Sequence, residues 1–127
     1  MREEIVYPEL SYKLVGTAFK VYNSLGFGCR ELYMQRAYAK ELSTEGIIFI
    51  REKEIKLIYD GQEIGKYRLD FIVDNKVIVE LKVVPIVKNI HIRQVLEYLN
   101  ATKFKLAILI YFTSNGVVYK RVVNPNI

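Results

Sequence analysis

Two carboxylates and a lysine stand inside the apolar stretch LDFIVDNKVIVELKVVPIV, residues 69–87, at Asp70, Glu80 and Lys82. Side chains on a strand alternate faces, so Ile78, Glu80, Lys82 and Val84 share one face while Val77, Val79, Leu81 and Val83 share the other. That is the pattern of a central strand with something polar built into it. In the preceding strand the same alternation sets Leu69, Phe71 and Val73 against Arg68, Asp70, Ile72 and Asp74. A three-residue connection, Asp74-Asn75-Lys76, pairs Val73 with Val77, Phe71 with Val79 and Leu69 with Leu81, and brings Asp70 opposite Glu80. A two-residue turn would put Asp70 opposite Leu81 and mix polar with apolar faces. Two carboxylates meeting on a sheet repel each other unless a proton, a cation or a metal lies between them. Such oxygen ligands, with water completing an octahedron, suit Mg2+ or Mn2+, and a lysine beside the ion can orient or help deprotonate an attacking water. The competing reading of Asp70, Glu80 and Lys82 is an ion-pair cluster on a solvated sheet face.

The surrounding sequence supplies elements to position these groups. Apolar residues at Leu10, Leu14, Ala18, Val21, Tyr22 and Leu25 predict a helix over residues 9–25, closed by Gly26-Phe27-Gly28. A second helix follows Gly28, runs to about Glu45 and stops at Gly46. Residues 47–84 hold four short β-rich runs separated by Arg51 to Lys53, by Asp60-Gly61 and by Asp74-Asn75-Lys76, which predicts an antiparallel meander. Pro85 closes it. A third helix is expected from about Lys88 to Ala101, then two strands, KLAILIYF and GVVYKRVV, around Ser114-Asn115-Gly116. The expected order is ααββββαββ.

The chain has 127 residues, of which 51% are hydrophobic and 26% charged, the range of one globular domain spanning residues 1–127. No stretch is apolar enough for a membrane span and MREEIVYPEL lacks the core of a signal peptide, so the expectation is a cytoplasmic protein without a membrane partner. Cys29 has no cysteine to pair with, and one Cys with one His, His91, does not make a zinc site. Cys29 reads as a structural thiol and His91 as a surface residue or phosphate contact. A net charge of +5 favours a polyanionic partner, although the 19 Lys and Arg are spread along the chain.

Three separated blocks in this order resemble the GxxExxY proteins, a branch of the PD-(D/E)xK nuclease superfamily. ELSYKLVGTAFKVYNSLGFGCRELYMQRAYAKEL is similar to that family's two-helix opening, with G-x-x-E at Gly28 and Glu31. YRLDFIVDNKVIVELKVV is similar to its D…ExK core, and RQVLEYLNATKFKLAILIYF to its helix and following strand. The motif Tyr would fall at Met34, with Tyr33 beside it, and Leu69 stands where the superfamily's Pro precedes the Asp. Neither departure removes a ligand.

The resemblance implies an α/β fold of the α+β type, a restriction-endonuclease-like core with a central mixed sheet flanked by helices. It also implies that Asp70, Glu80, the Leu81 backbone carbonyl and Glu31 hold Mg2+ or Mn2+, and that Lys82 positions the nucleophilic water and stabilises charge on the phosphate. Gln94 and Tyr98 match a Q-x-x-x-Y motif of RecB-like nucleases and share one helix face, within reach of the substrate or the groups behind the site. Otherwise Glu31 is a solvated helix residue, Gln94 is exposed and Tyr98 is core. The implied activity is metal-dependent hydrolysis of phosphodiester bonds in nucleic acid, DNA ahead of RNA. Two other readings stay open: a nuclease-fold binding or interaction module with little turnover, and a structure-selective nuclease acting as a homodimer.

Overall fold

The structure, a computed structural model, describes residues 5–127. Helix α1 (Pro8–Leu25) begins with Pro near its first position, where a missing N–H leaves no helical bond unmade, and buries Leu14, Ala18 and Val21 at helical spacing. It ends at Gly26, whose φ of 66° lies in the left-handed region and whose N–H donates to the Tyr22 carbonyl. Helix α2 (Glu31–Thr44) buries Met34, Tyr38 and Leu42, each one turn further along. Strands β1 (Phe49–Tyr59), β2 (Gln62–Val73) and β3 (Val77–Val83) follow, then α3 (Ile92–Thr102), β4 (Leu106–Thr113) and β5 (Gly116–Val123).

The five strands form one sheet in the order β1-β2-β3-β4-β5. All neighbours are antiparallel except β3 and β4, which run parallel because α3 carries the chain back across the sheet between them. Every residue of β4 is buried, which fits a strand covered on both faces. One core lies between the sheet and α1 and α2, and contains Leu14, Tyr38, Phe71, Val79, Leu81 and Ile110. The other lies under α3, and contains Leu69, Ile78, Tyr98, Leu99, Leu109 and Tyr111. The result is the mixed sheet flanked by helices that the sequence implied. Among the described residues no helix is long and apolar enough to cross a membrane.

Three details depart from the sequence reading. The meander has three strands rather than four, so the order is ααβββαββ. Arg51 to Lys53 does not separate two strands; β1 runs through it with a local kink at Glu52, whose φ is 53°. Helix α3 begins at Ile92 rather than near Lys88, because residues 84–91 form a loop in which His91 caps the helix. Leu69 does not face Leu81: it packs in the core under α3, whereas Leu81 packs in the core against α1 and α2.

Candidate functional site

The turn Asp74-Asn75-Lys76 places β2 against β3 in the register expected, with Val73 opposite Val77, Ile72 opposite Ile78 and Phe71 opposite Val79. Asp74 and Asn75 both adopt positive φ, a conformation these two residue types tolerate better than most. The regular pairing stops at Phe71 and Val79. Beyond it side chains replace the ladder: the Asp70 N–H donates to Glu80 Oε2 at 2.6 Å, and the Leu81 N–H donates to Asp70 Oδ2 at 3.0 Å. The two strands fork there, and each carboxylate holds the backbone of the opposite strand.

This arrangement concentrates negative charge. Glu80 is only 3% exposed. Burial first, and then the adjacent Asp70 carboxylate, push its pKa up to about 8. Asp70 is also raised, mainly by burial, although the Leu81 N–H, Lys82 and Arg68 act in the opposite direction. Glu31 at the start of α2 raises both through its field, and Lys82 lowers both. Among the described residues neither carboxylate forms an ion pair.

The donor set fits a hard divalent cation. Asp70 Oδ1 and Glu80 Oε1 carry no hydrogen bond among the described residues, and no cationic side chain makes direct contact with the anionic pair among them. The N–H and C=O of a strand residue point the same way, so the Leu81 carbonyl faces the fork along with its N–H. Yet Asp70 and Glu80 are two carboxylates, not three: among the described residues no group of three or more His, Cys, Asp or Glu is gathered closely enough to hold a metal. Glu31 lines a groove of about 310 Å3 together with Asp70, Gln35, Glu52 and Arg68.

The other expected residues are placed as follows. Tyr98 is buried under the sheet, its ring edge-on to Tyr67 at 5.3 Å, and the fields of Glu80 and Asp70 add to its burial in raising its phenol to about 12. Gln94 is exposed on α3 one turn earlier, with no hydrogen bond to the site. Met34 is a core residue, whereas Tyr33 is exposed with the guanidinium groups of Arg30 and Arg36 each 5.9 Å from its ring centre. Residues the sequence reading passed over also surround Asp70. Arg68 pairs with Glu52 at 2.9 Å, and Arg51 donates to Gln35 Oε1 at 3.3 Å from above the Phe71 ring. Arg68 was within reach of the alternation argument, since it shares the Asp70 face two residues earlier; Arg51 was hidden by the apparent strand break.

A profile of the PD-(D/E)XK nuclease superfamily matches residues 8–122, from the first turn of α1 to the end of β5. The chain belongs to this superfamily. Its members generally use divalent metals, and their substrates are nucleic acids. The crystal structure of SSO0001 has a similar fold, with a TM-score of 0.53 at 15% sequence identity over 92% of this chain and 78% of that one. At such low identity the likeness concerns the fold alone. No curated protein sequence matches the chain. Asp70 and Glu80 lie at the fork between β2 and β3, with Lys82 two residues beyond Glu80 on β3.

Proposed function

We propose that this superfamily member is a metal-dependent nuclease of the GxxExxY branch, hydrolysing phosphodiester bonds of nucleic acid, DNA ahead of RNA. The observation that carries the reading is the mutual grip of Asp70 and Glu80 across the forked strands, with Lys82 two residues further along the same face. The Asp70 and Glu80 carboxylates and the Leu81 carbonyl are the groups that would hold Mg2+ or Mn2+, with Glu31 facing them from α2 across the groove it shares with Asp70. Such an ion supplies Lewis-acid stabilisation of the phosphoryl oxygens and a more acidic bound water. The backbone N–H groups of Asp70 and Leu81 fix one oxygen of each carboxylate, leaving the other oxygen for the ion. Lys82 orients the attacking water and offsets charge developing on the phosphate. Tyr98, behind Glu80, fills the space under the site and excludes water from that side. Gln94 reaches the substrate from the exposed turn of α3.

A second reading, a nucleic-acid-binding module with little turnover, is favoured by one observation: only two ligating carboxylates meet in the structure. Incubation of the protein with labelled single-stranded, duplex and branched DNA and with RNA, in Mg2+, Mn2+ or chelator, separates the two. Metal-dependent product formation supports the nuclease. Binding of the same panel without product supports the module.

A further inference from the structure

Beside Lys82 on the face covered by α3 lies a second feature. Lys82 pairs in parallel register with Tyr111 of β4, and Tyr111, only 1% exposed, lines a groove of about 430 Å3 walled by residues 84–89 and His91. The walls are largely apolar, from Val84 through Val87, Lys88 stands among them, and no carboxylate lines the groove. The Tyr111 hydroxyl accepts the His91 backbone N–H at 3.1 Å and lies 3.0 Å from His91 Nδ1, with the two rings stacked 6.1 Å apart. The imidazole is thereby fixed through one nitrogen, and Nε2 has no hydrogen bond among the described residues.

We propose that this groove takes one unpaired nucleotide of the substrate strand, adjoining the phosphate to be cut, so that the preferred substrate is a single strand or a frayed end. The inference rests on the nuclease reading and deepens it. Three observations choose this occupant. The apolar wall and the His91 ring offer surfaces on which any base can lie or stack, which makes such a site tolerant of sequence. Lys88 and the free imidazole nitrogen are donors for phosphate, and nothing anionic opposes them. The register of Tyr111 with Lys82 sets a wall of the groove beside the lysine of the candidate site. A volume near 430 Å3 is at the small end of ligand pockets and holds one nucleotide, not a base pair. His91 acts here as a binding residue, and Tyr111 as the residue that positions it.

The test is a titration of the isotope-labelled full-length protein with thymidine 5′-monophosphate, thymidine or inorganic phosphate, followed by amide resonances. The expected result is shifts confined to residues 84–91 and Tyr111, with the monophosphate binding more tightly than either fragment. His91→Ala and Ile86→Glu, both changes at exposed positions, should each raise its Kd roughly tenfold. In cleavage of a labelled single strand the same variants should raise KM and leave kcat unchanged. Equal binding of inorganic phosphate and the monophosphate, or no shift in this segment, overturns the proposal even if the protein cleaves nucleic acid. Nucleotide binding in the groove of a protein that cleaves nothing would overturn the nuclease reading and leave the groove as a nucleotide site.

Discussion

Glu80 accepts the backbone N–H of Asp70, and Asp70 accepts the backbone N–H of the residue after Glu80. The two acidic side chains thus take over the hydrogen bonding of the strands at the point where the strands separate. A fork in a sheet leaves N–H groups that must find acceptors, and here the acceptors are the two carboxylates of the candidate site. Structure and site are consequently coupled: whatever changes the charge of this pair also changes the stability of the sheet.

The first consequence concerns charge without shape. Glu80→Gln keeps a side-chain oxygen for the Asp70 N–H and removes the repulsion from Asp70. In metal-free buffer at pH 8 the variant should be more stable than the parent by at least about 1 kcal/mol, as each unit by which Glu80 is raised corresponds to about 1.4 kcal/mol. Denaturant unfolding in chelator measures it. A less stable variant would mean that the pair is not strained by its charge.

The pH dependence follows with a definite sign. Glu80 ordinarily ionises at 4.5 and in the folded protein near 8, so between these values the native state binds more protons than the unfolded chain. Stability is therefore full below about 4.5 and is lost as pH rises towards 8. Asp70 is raised as well and acts in the same direction. Mg2+ or Mn2+, which bind the ionised carboxylates, should restore stability most at the upper end of the window. Thermal unfolding across pH, with and without metal, should show the metal-free slope, and Glu80→Gln should flatten it.

Much of this arrangement was legible in the sequence. Alternation and the turn Asp74-Asn75-Lys76 fixed the pairing of β2 with β3 as far as Phe71 and Val79, because a one-residue slip would have turned every apolar side chain to the wrong face. Alternation then misled at Leu69. Past the fork β2 is no longer paired with β3, and Leu69, still opposite Lys53 of β1, turns to the core under α3. The amide grip itself was invisible, since pattern arguments show which residues face each other but not whether their backbones stay paired. Strand β1 reads as two pieces because Arg51, Glu52 and Lys53 form a charged run that interrupts the alternation between the half-buried Phe49 and Ile55. The start of α3 was placed too early for lack of a Ser, Thr or Asp cap before Ile92.

The Q-x-x-x-Y pair should separate by mutation. Tyr98→Ala empties a buried site facing Tyr67 and should cost about 3–5 kcal/mol of stability. Gln94→Ala, at an exposed position, should change stability by less than about 0.5 kcal/mol and raise KM if the side chain reaches the substrate. Unchanged kinetics in a stable Gln94→Ala protein would confine the motif to packing.

Helix α2, which carries Glu31, is tied to α1 by a buried bond from the Tyr38 hydroxyl to the Leu14 carbonyl at 2.8 Å. Tyr38→Phe should lower stability by about 1 kcal/mol and leave the cleavage rate at low temperature unchanged. A large loss of rate in a folded Tyr38→Phe protein would show that the position of α2 controls the site more tightly than packing requires.

The most direct test of the central claim is the rate of nucleic-acid cleavage at saturating Mn2+ by the parent protein, Asp70→Asn and Lys82→Ala, each confirmed as folded. The account expects cleavage by the parent and a loss of roughly 100-fold or more in both variants, the scale on which groups that stabilise developing charge contribute. Equal rates in all three would assign the cleavage to something other than the fork between β2 and β3. No cleavage by the folded parent would contradict the nuclease reading outright.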